Sequence, residues 1–159
     1  MSGPERRLAA LGLRLPAVAA PAGAYVPAVA HGGLVWTSGQ VPFVDGRLAA
    51  TGLVGADVTP ERAAELARTC ALNALAALAA AVPGGLGRVE RVVKVVGFVA
   101  SAPGFTGQPA VVDGASELLA EVFGDAGRHA RSAVGVAALP LGAPVEVELV
   151  AALHGPGTR

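Results

Sequence analysis

Arg131, Glu146 and Glu148 are the side chains best placed by type and spacing to do chemistry, since each falls in a short run whose alternation fixes its neighbours. In Arg131-Ser132-Ala133-Val134-Gly135-Val136 a strand puts Arg131, Ala133 and Gly135 on one side and Ser132, Val134 and Val136 on the other. A guanidinium beside two residues with almost no side chain can take a planar carboxylate on two parallel N–H donors. In Val145-Glu146-Val147-Glu148-Leu149 the apolar residues share one side, the core side, and the two glutamates share the other. The spacing thus predicts one polar sheet face with a cation, two carboxylates and room beside the cation. A solvated sheet face, or an ion pair across a subunit interface, carries the same pattern.

Other reactive types are weaker signals. His129, two residues before Arg131, can move protons at a site rim, but a histidine in a helix-to-strand loop is also an ordinary surface hydrogen-bonder. Arg128 adds positive potential or is simply a solvated charge. His31 and His154 have no Cys, Asp or Glu at ligand spacing, so no metal site is expected. Gly84-Gly85-Leu86-Gly87 follows a helix instead of opening one, the wrong order for a phosphate cradle. Cys70 lies on an apolar helical stripe and reads as a small core residue. As the lone cysteine it forms no internal disulfide, which suits a reducing compartment and a cytoplasmic location. Asn73 interrupts the same helix and is expected to bond a neighbouring strand or loop. Trp36 reads as packing or interface, with a cleft wall as the alternative.

The elements that must position these residues follow from periodicity and turn chemistry. Residues 1–23 form an Ala/Pro/Leu-rich lead-in, with room for a short helix ended by Pro16. Tyr25 to Ala30, Leu34 to Ser38 and Val41 to Val44 are β-prone and separated by His31-Gly32-Gly33 and followed by Asp45-Gly46, giving an antiparallel meander from 25 to about 53. Thr59-Pro60 starts a long helix with a small-residue face, ended by Pro83-Gly84-Gly85. Arg91 to Ser101 is a Val-rich buried strand, Pro103 to Pro109 a loop, and Val111 to Phe123 a second helix. Ala130 to Val136 and Pro144 to Leu153 are the final strands. The expectation is one domain over residues 1–159 with its core at 24–153, an α/β sandwich with six strands in a mixed sheet and two helices on one face.

Bulk composition narrows the partners. Twelve basic and twelve acidic residues cancel, eleven of the bases are Arg, and no run of like charge occurs, so nucleic acid is not an expected partner. Arg14 interrupts the N-terminal apolar run before it could act as a signal sequence, and no stretch is expected to span a membrane. Hydrophobic residues at 53%, charged ones at 15% and a mean hydropathy of +0.56 leave little polar material to cover a monomer, which points to oligomerisation.

Tyr25-Val26, Trp36-Thr37-Ser38-Gly39-Gln40-Val41-Pro42, Arg131-Ser132-Ala133-Val134, and Leu139-Pro140 through Val145-Glu146-Val147-Glu148 resemble the RidA/YjgF family in order and separation, over about residues 24 to 153. The resemblance implies a chorismate-mutase-like fold, a homotrimer with clefts between subunits, and no metal or cofactor. Members of the reactive intermediate deaminase type hydrolyse small 2-imino and enamino carboxylates to 2-keto acids and ammonia. By the same resemblance Arg131 grips the substrate carboxylate, Glu146 activates water, Ser38 is the other catalytic residue of the cleft, and Tyr25, Gly39 and Ala133 complete the binding set. The chain departs from the family in three ways: Ala133 stands where many members have Cys, the Pro103 to Pro109 loop is longer, and Asp113 or Gly114 occupies the region of a family cleft asparagine. A non-catalytic small-carboxylate sensor is the alternative reading. Endoribonuclease activity, proposed for some members, is disfavoured by the lack of a basic stripe or a histidine pair.

Overall fold

The computed structural model describes residues 1–155. In the lead-in, Ser2 and Glu5 close a reciprocal capping box on α1 (Gly3–Ala10), which ends before Gly12, ahead of the expected Pro16. Two short strands, β1 (Ala28–His31) and β2 (Leu34–Thr37), form a hairpin about Gly32 and Gly33. Both glycines have positive φ, as a two-residue turn requires. A smaller hairpin, β3 (Phe43–Val44) and β4 (Arg47–Leu48), turns at Asp45 and Gly46. Thr59 caps α2 (Pro60–Ala81) by accepting from the Arg62 N–H. Then follow β5 (Val89–Ala100), α3 (Gln108–Phe123), β6 (Ala130–Val136) and β7 (Val145–Leu153).

The main sheet has five strands in the order β1-β2-β7-β5-β6, all antiparallel except β5 with β6. Six were expected, and the third expected strand, Val41 to Val44, is the one that fails to join. Gln40 exchanges two backbone bonds with Val147, but Pro42 has no N–H with which to continue the ladder. The chain leaves there to make the separate β3–β4 hairpin. Asn73 of α2 anchors this departure, donating to the carbonyls of Val41 (3.0 Å) and Phe43 (3.1 Å).

Both long helices cover the same sheet face. The buried residues of α2, among them Ala63, Leu66, Ala67, Cys70 and Ala74, pack with Val145, Val147 and Leu149 of β7 and with Leu118 and Leu119 of α3 in one core cluster. By length and apolar content α2 would also pass for a membrane span. Its 61% burial against α3 and the sheet accounts for that character as a core helix.

The helices approach closely because α3 has Gly114 at their crossing. A Cβ there would fall inside contact distance of the Ala64 carbonyl oxygen, and backbone cannot swing aside as a side chain can. Gly114→Ala is therefore expected to destabilise the fold by about 3 kcal/mol, read as a lower midpoint in urea with an unchanged slope. Wild-type stability in this variant would refute the close crossing.

Candidate functional site

Side-chain alternation along β5 decides which residues can meet. Val95 is beside Arg131 on β6 and beside Leu149 on β7, and Gly97 is likewise beside Ala133 and Val147. Register partners face the same way, so Arg131, Ala133 and Gly135 lie on the helix-covered side with the core valines. Glu146 and Glu148 pair with Phe98 and Val96 on the opposite, outer side. The expected single polar face with a cation and two carboxylates is thus corrected: the cation is on one side of the sheet and the carboxylates on the other. Each strand alternates as expected. The error lay in joining β6 to β7, when β5 runs between them.

The outer half-site gathers Tyr25, Ser38, Gly39 and Glu146. Between the pairs Trp36–Val150 and Gln40–Val147 the first strand advances four residues and its partner three, so a bulge falls at Ser38–Gly39. Ser38 Oγ donates to the Val26 carbonyl at 2.6 Å and its N–H to that of Pro27 at 2.8 Å, tying the bulge to the segment that carries Tyr25. Gly39 lies directly under the Glu146 carboxyl, in space a Cβ would take from Oε1. Tyr25, Pro27, Gly39, Phe43, Leu141 and Glu146 line a pocket of about 80 Å³, closed on one side by Ala19 to Ala22 of the lead-in. Tyr25 is half exposed, and its hydroxyl accepts from the Ala22 N–H.

Burial raises the Glu146 pKa, and the neighbouring Glu148 carboxylate adds to the rise. Arg131 lies across the sheet from Glu146. Within one protomer desolvation prevails, and Glu146 holds its proton to higher pH than an ordinary glutamate. No ion pair among the described residues engages it.

The second half-site is built on α3. Arg131 Nη1 donates to Asp113 Oδ1 (2.7 Å) and to Ser116 Oγ (3.2 Å), and Nη2 donates to the Pro109 carbonyl (3.1 Å). None of these bonds uses Nε, so donor capacity remains on the guanidinium. Ala133 packs against the core, below Arg131 on the same strand face, where it keeps the floor low. Ser116 also meets His129 Nε2 at 2.9 Å, and His129 Nδ1 meets the Gly127 carbonyl at 2.6 Å. An open cleft is bounded by Ser116, Gly127, Arg128, His129 and Arg131.

Of the six residues expected in the site, Tyr25, Gly39 and Glu146 line the outer pocket, Ser38 stands next to Gly39 with its hydroxyl turned to the Val26 carbonyl, and Arg131 and Ala133 belong to the helix-side half. Sequence reading missed Ser116 and Leu141. Ser116 was signalled by its i,i+3 spacing from Asp113, which puts both on one helix face. Leu141 stands at φ 61°, a left-handed conformation unusual for leucine, and lines the Glu146 pocket.

A mixed sheet backed by two long helices on one side is a two-layer α/β fold. Residues 5–153 match the family described as "YjgF/chorismate_mutase-like, putative endoribonuclease", and the chain belongs to it. It is 49% identical over 145 residues to Protein TCP17 of Trypanosoma cruzi, covering 91% of this chain and 90% of that one. A solved "putative endoribonuclease" from Shewanella oneidensis MR-1 superposes with a TM-score of 0.92 at 39% identity, covering 96% and 100% of the two chains. E. coli TdcF, solved with bound serine, gives a TM-score of 0.60 at 26% identity, covering 87% and 94%.

Because the folded pKa of Glu146 is raised, the native state binds more protons than the unfolded chain between the two values. The stability this contributes is complete below the unfolded pKa and is lost as pH rises through the folded one. Glu146→Gln should remove that loss, so the variant gains on the wild type as pH is raised from 4 to 8. Parallel stability curves across this range in urea would contradict the raised pKa.

Proposed function

We propose that this protein hydrolyses small 2-imino and enamino carboxylates to 2-keto acids and ammonia. The observation that carries this reading is Glu146: a carboxyl over Gly39, in a pocket with largely apolar walls, in no ion pair among the described residues and with its pKa raised by burial. An imine carbon is already electrophilic. The protein has to fix the carboxylate, place one water and move protons, which an arginine and a glutamate can do without a nucleophile or cofactor.

The two half-sites lie on opposite sides of the sheet, so one protomer does not bring Arg131 to Glu146. A second copy can. The outer sheet face exposes Val29, Trp36 and Val134 and half-exposes Val96, Phe98 and Val136, an apolar surface of the kind that meets another subunit. A homotrimer, as the family resemblance implies, would set Arg131 of one subunit against Tyr25, Ser38, Gly39 and Glu146 of the next. The serine found in TdcF is a small amino carboxylate, the chemical class this arrangement would take.

Asp113 does not block the arginine. It is 55% exposed, and a pair this wet contributes about 1 kcal/mol or less. Each charge-assisted bond to a buried substrate carboxylate contributes about 1.5–3 kcal/mol. Asp113 lowers affinity without abolishing it, and Asp113→Asn should lower KM for an iminocarboxylate while kcat is retained. An unchanged or higher KM would count against competition at Arg131.

A dehydratase that generates 2-aminoacrylate supplies the assay: the protein should speed pyruvate release, and a rate no faster than the spontaneous one removes the proposal. Arg131→Ala and Glu146→Ala should each be inactive. Mixed after dissociation and reassembly, they should recover about a quarter of wild-type activity, the share of interfaces that pair two intact halves by chance. No recovery would argue that each site lies within one subunit. Binding of a small carboxylate at Arg131 without turnover would favour the sensor reading. The family description and the cleft with Arg128, His129 and Arg131 favour testing RNA too; cleavage lost in Arg131→Ala would favour a nuclease.

A further inference from the structure

Ser116 and His129 take no part in the roles assigned above, yet they form an ordered chain ending at Arg131. The Gly127 carbonyl can only accept, so the 2.6 Å contact fixes a proton on His129 Nδ1. Gly127 itself is pinned, because a Cβ there would run into the Leu119 carbonyl of α3. His129 Nε2 therefore faces Ser116 Oγ at 2.9 Å in either protonation state.

Counting donors shows what the hydroxyl does. A serine has one proton and two lone pairs. When His129 is an imidazolium, Nε2–H and Arg131 Nη1–H both donate to Ser116 Oγ, which leaves the serine proton free to point into the cleft. When His129 is neutral, the serine proton points back to Nε2. The pair can thus pass a proton outward and be refilled.

The geometry points to Ser116 and His129 as a proton relay to the nitrogen of a substrate held at Arg131. This rests on the imine hydrolase reading. The imine nitrogen is attached to the carbon bearing the carboxylate, and Ser116 Oγ is 3.2 Å from Arg131 Nη1, the nitrogen on which a substrate carboxylate taking the place of the exposed Asp113 would bind. As the water oxygen bonds to the imine carbon, the C=N pair moves to nitrogen and becomes an N–H bond with the serine proton, which His129 replaces. As C=O forms and the C–N bond breaks, the pair again goes to nitrogen, which takes a second proton by the same route and leaves as ammonia. Water gives its two protons to Glu146 one at a time, each passing on to solvent, and His129 takes one proton back from solvent after each transfer, so the cycle neither gains nor loses a proton. Ser116 touches substrate; His129 acts through it as a positioning and supplying group.

Profiles of kcat/KM against pH for wild type, Ser116→Ala, His129→Gln and Ser116→Thr test the relay. Ser116→Ala and His129→Gln should each lower kcat about 100-fold, the lower end of general acid catalysis, with KM nearly unchanged. His129→Gln should also change the shape of the pH profile, and Ser116→Thr, which keeps the hydroxyl, should recover most of the rate. An active wild type whose His129→Gln variant keeps the same pH profile and kcat overturns the relay and spares the hydrolase. A wild type without imine hydrolysis overturns both.

Discussion

The register of β5 against its two neighbours governs everything chemical in this molecule. Val95 lies beside both Arg131 and Leu149, and since partners in register face the same way, the arginine is committed to the side that carries the core. A long cation on a helix-covered face is normally costly to bury. Here β6 is the edge strand, so the side chain reaches past the core to the rim of α3 and is met by Asp113, Ser116 and the Pro109 carbonyl. The small residues along the same face, Gly97, Ala133 and Gly135, let α3 settle close enough to supply those partners; a Cβ on Gly97 would strike Val112 of α3.

The same register leaves the carboxylates on the uncovered side. There Glu146 meets apolar walls and another carboxylate instead of a cation, which is why its pKa rises. Cys70 shows a related effect: burial lifts its thiol, and the Glu146 charge adds to that lift. A neutral, buried thiol donating weakly to the Val145 carbonyl is a packing residue, not a nucleophile.

Much of the fold was legible in the chain. Thr59-Pro60, Pro83-Gly84 and Asp45-Gly46 mark their boundaries by local chemistry that tertiary packing does not override, and each stands where its residues indicate. Asn73 was rightly expected to bond a neighbouring loop. What could not be read was strand order. Alternation says which residues of one strand share a side, but two strands adjacent in sequence need not be adjacent in space, and β5 separates β6 from β7. The loss of the third expected strand was foreshadowed by Pro42, whose missing N–H outweighs the β-propensity of its neighbours. Ser116 went unseen because its i,i+3 spacing from Asp113 shows only a shared helix face, and its partners Arg131 and His129 come from a strand and a loop whose placement alternation does not give.

Division of the site has a consequence for how Glu146 would work. In the isolated protomer, desolvation and Glu148 both push its pKa upward. A neighbouring subunit laid over the pocket would bury it further, raising the pKa again, while bringing a guanidinium near enough to lower it. The opposing changes would leave the carboxyl able both to take a proton from water and to release it within one cycle, which neither a fully exposed nor a firmly ion-paired glutamate does well.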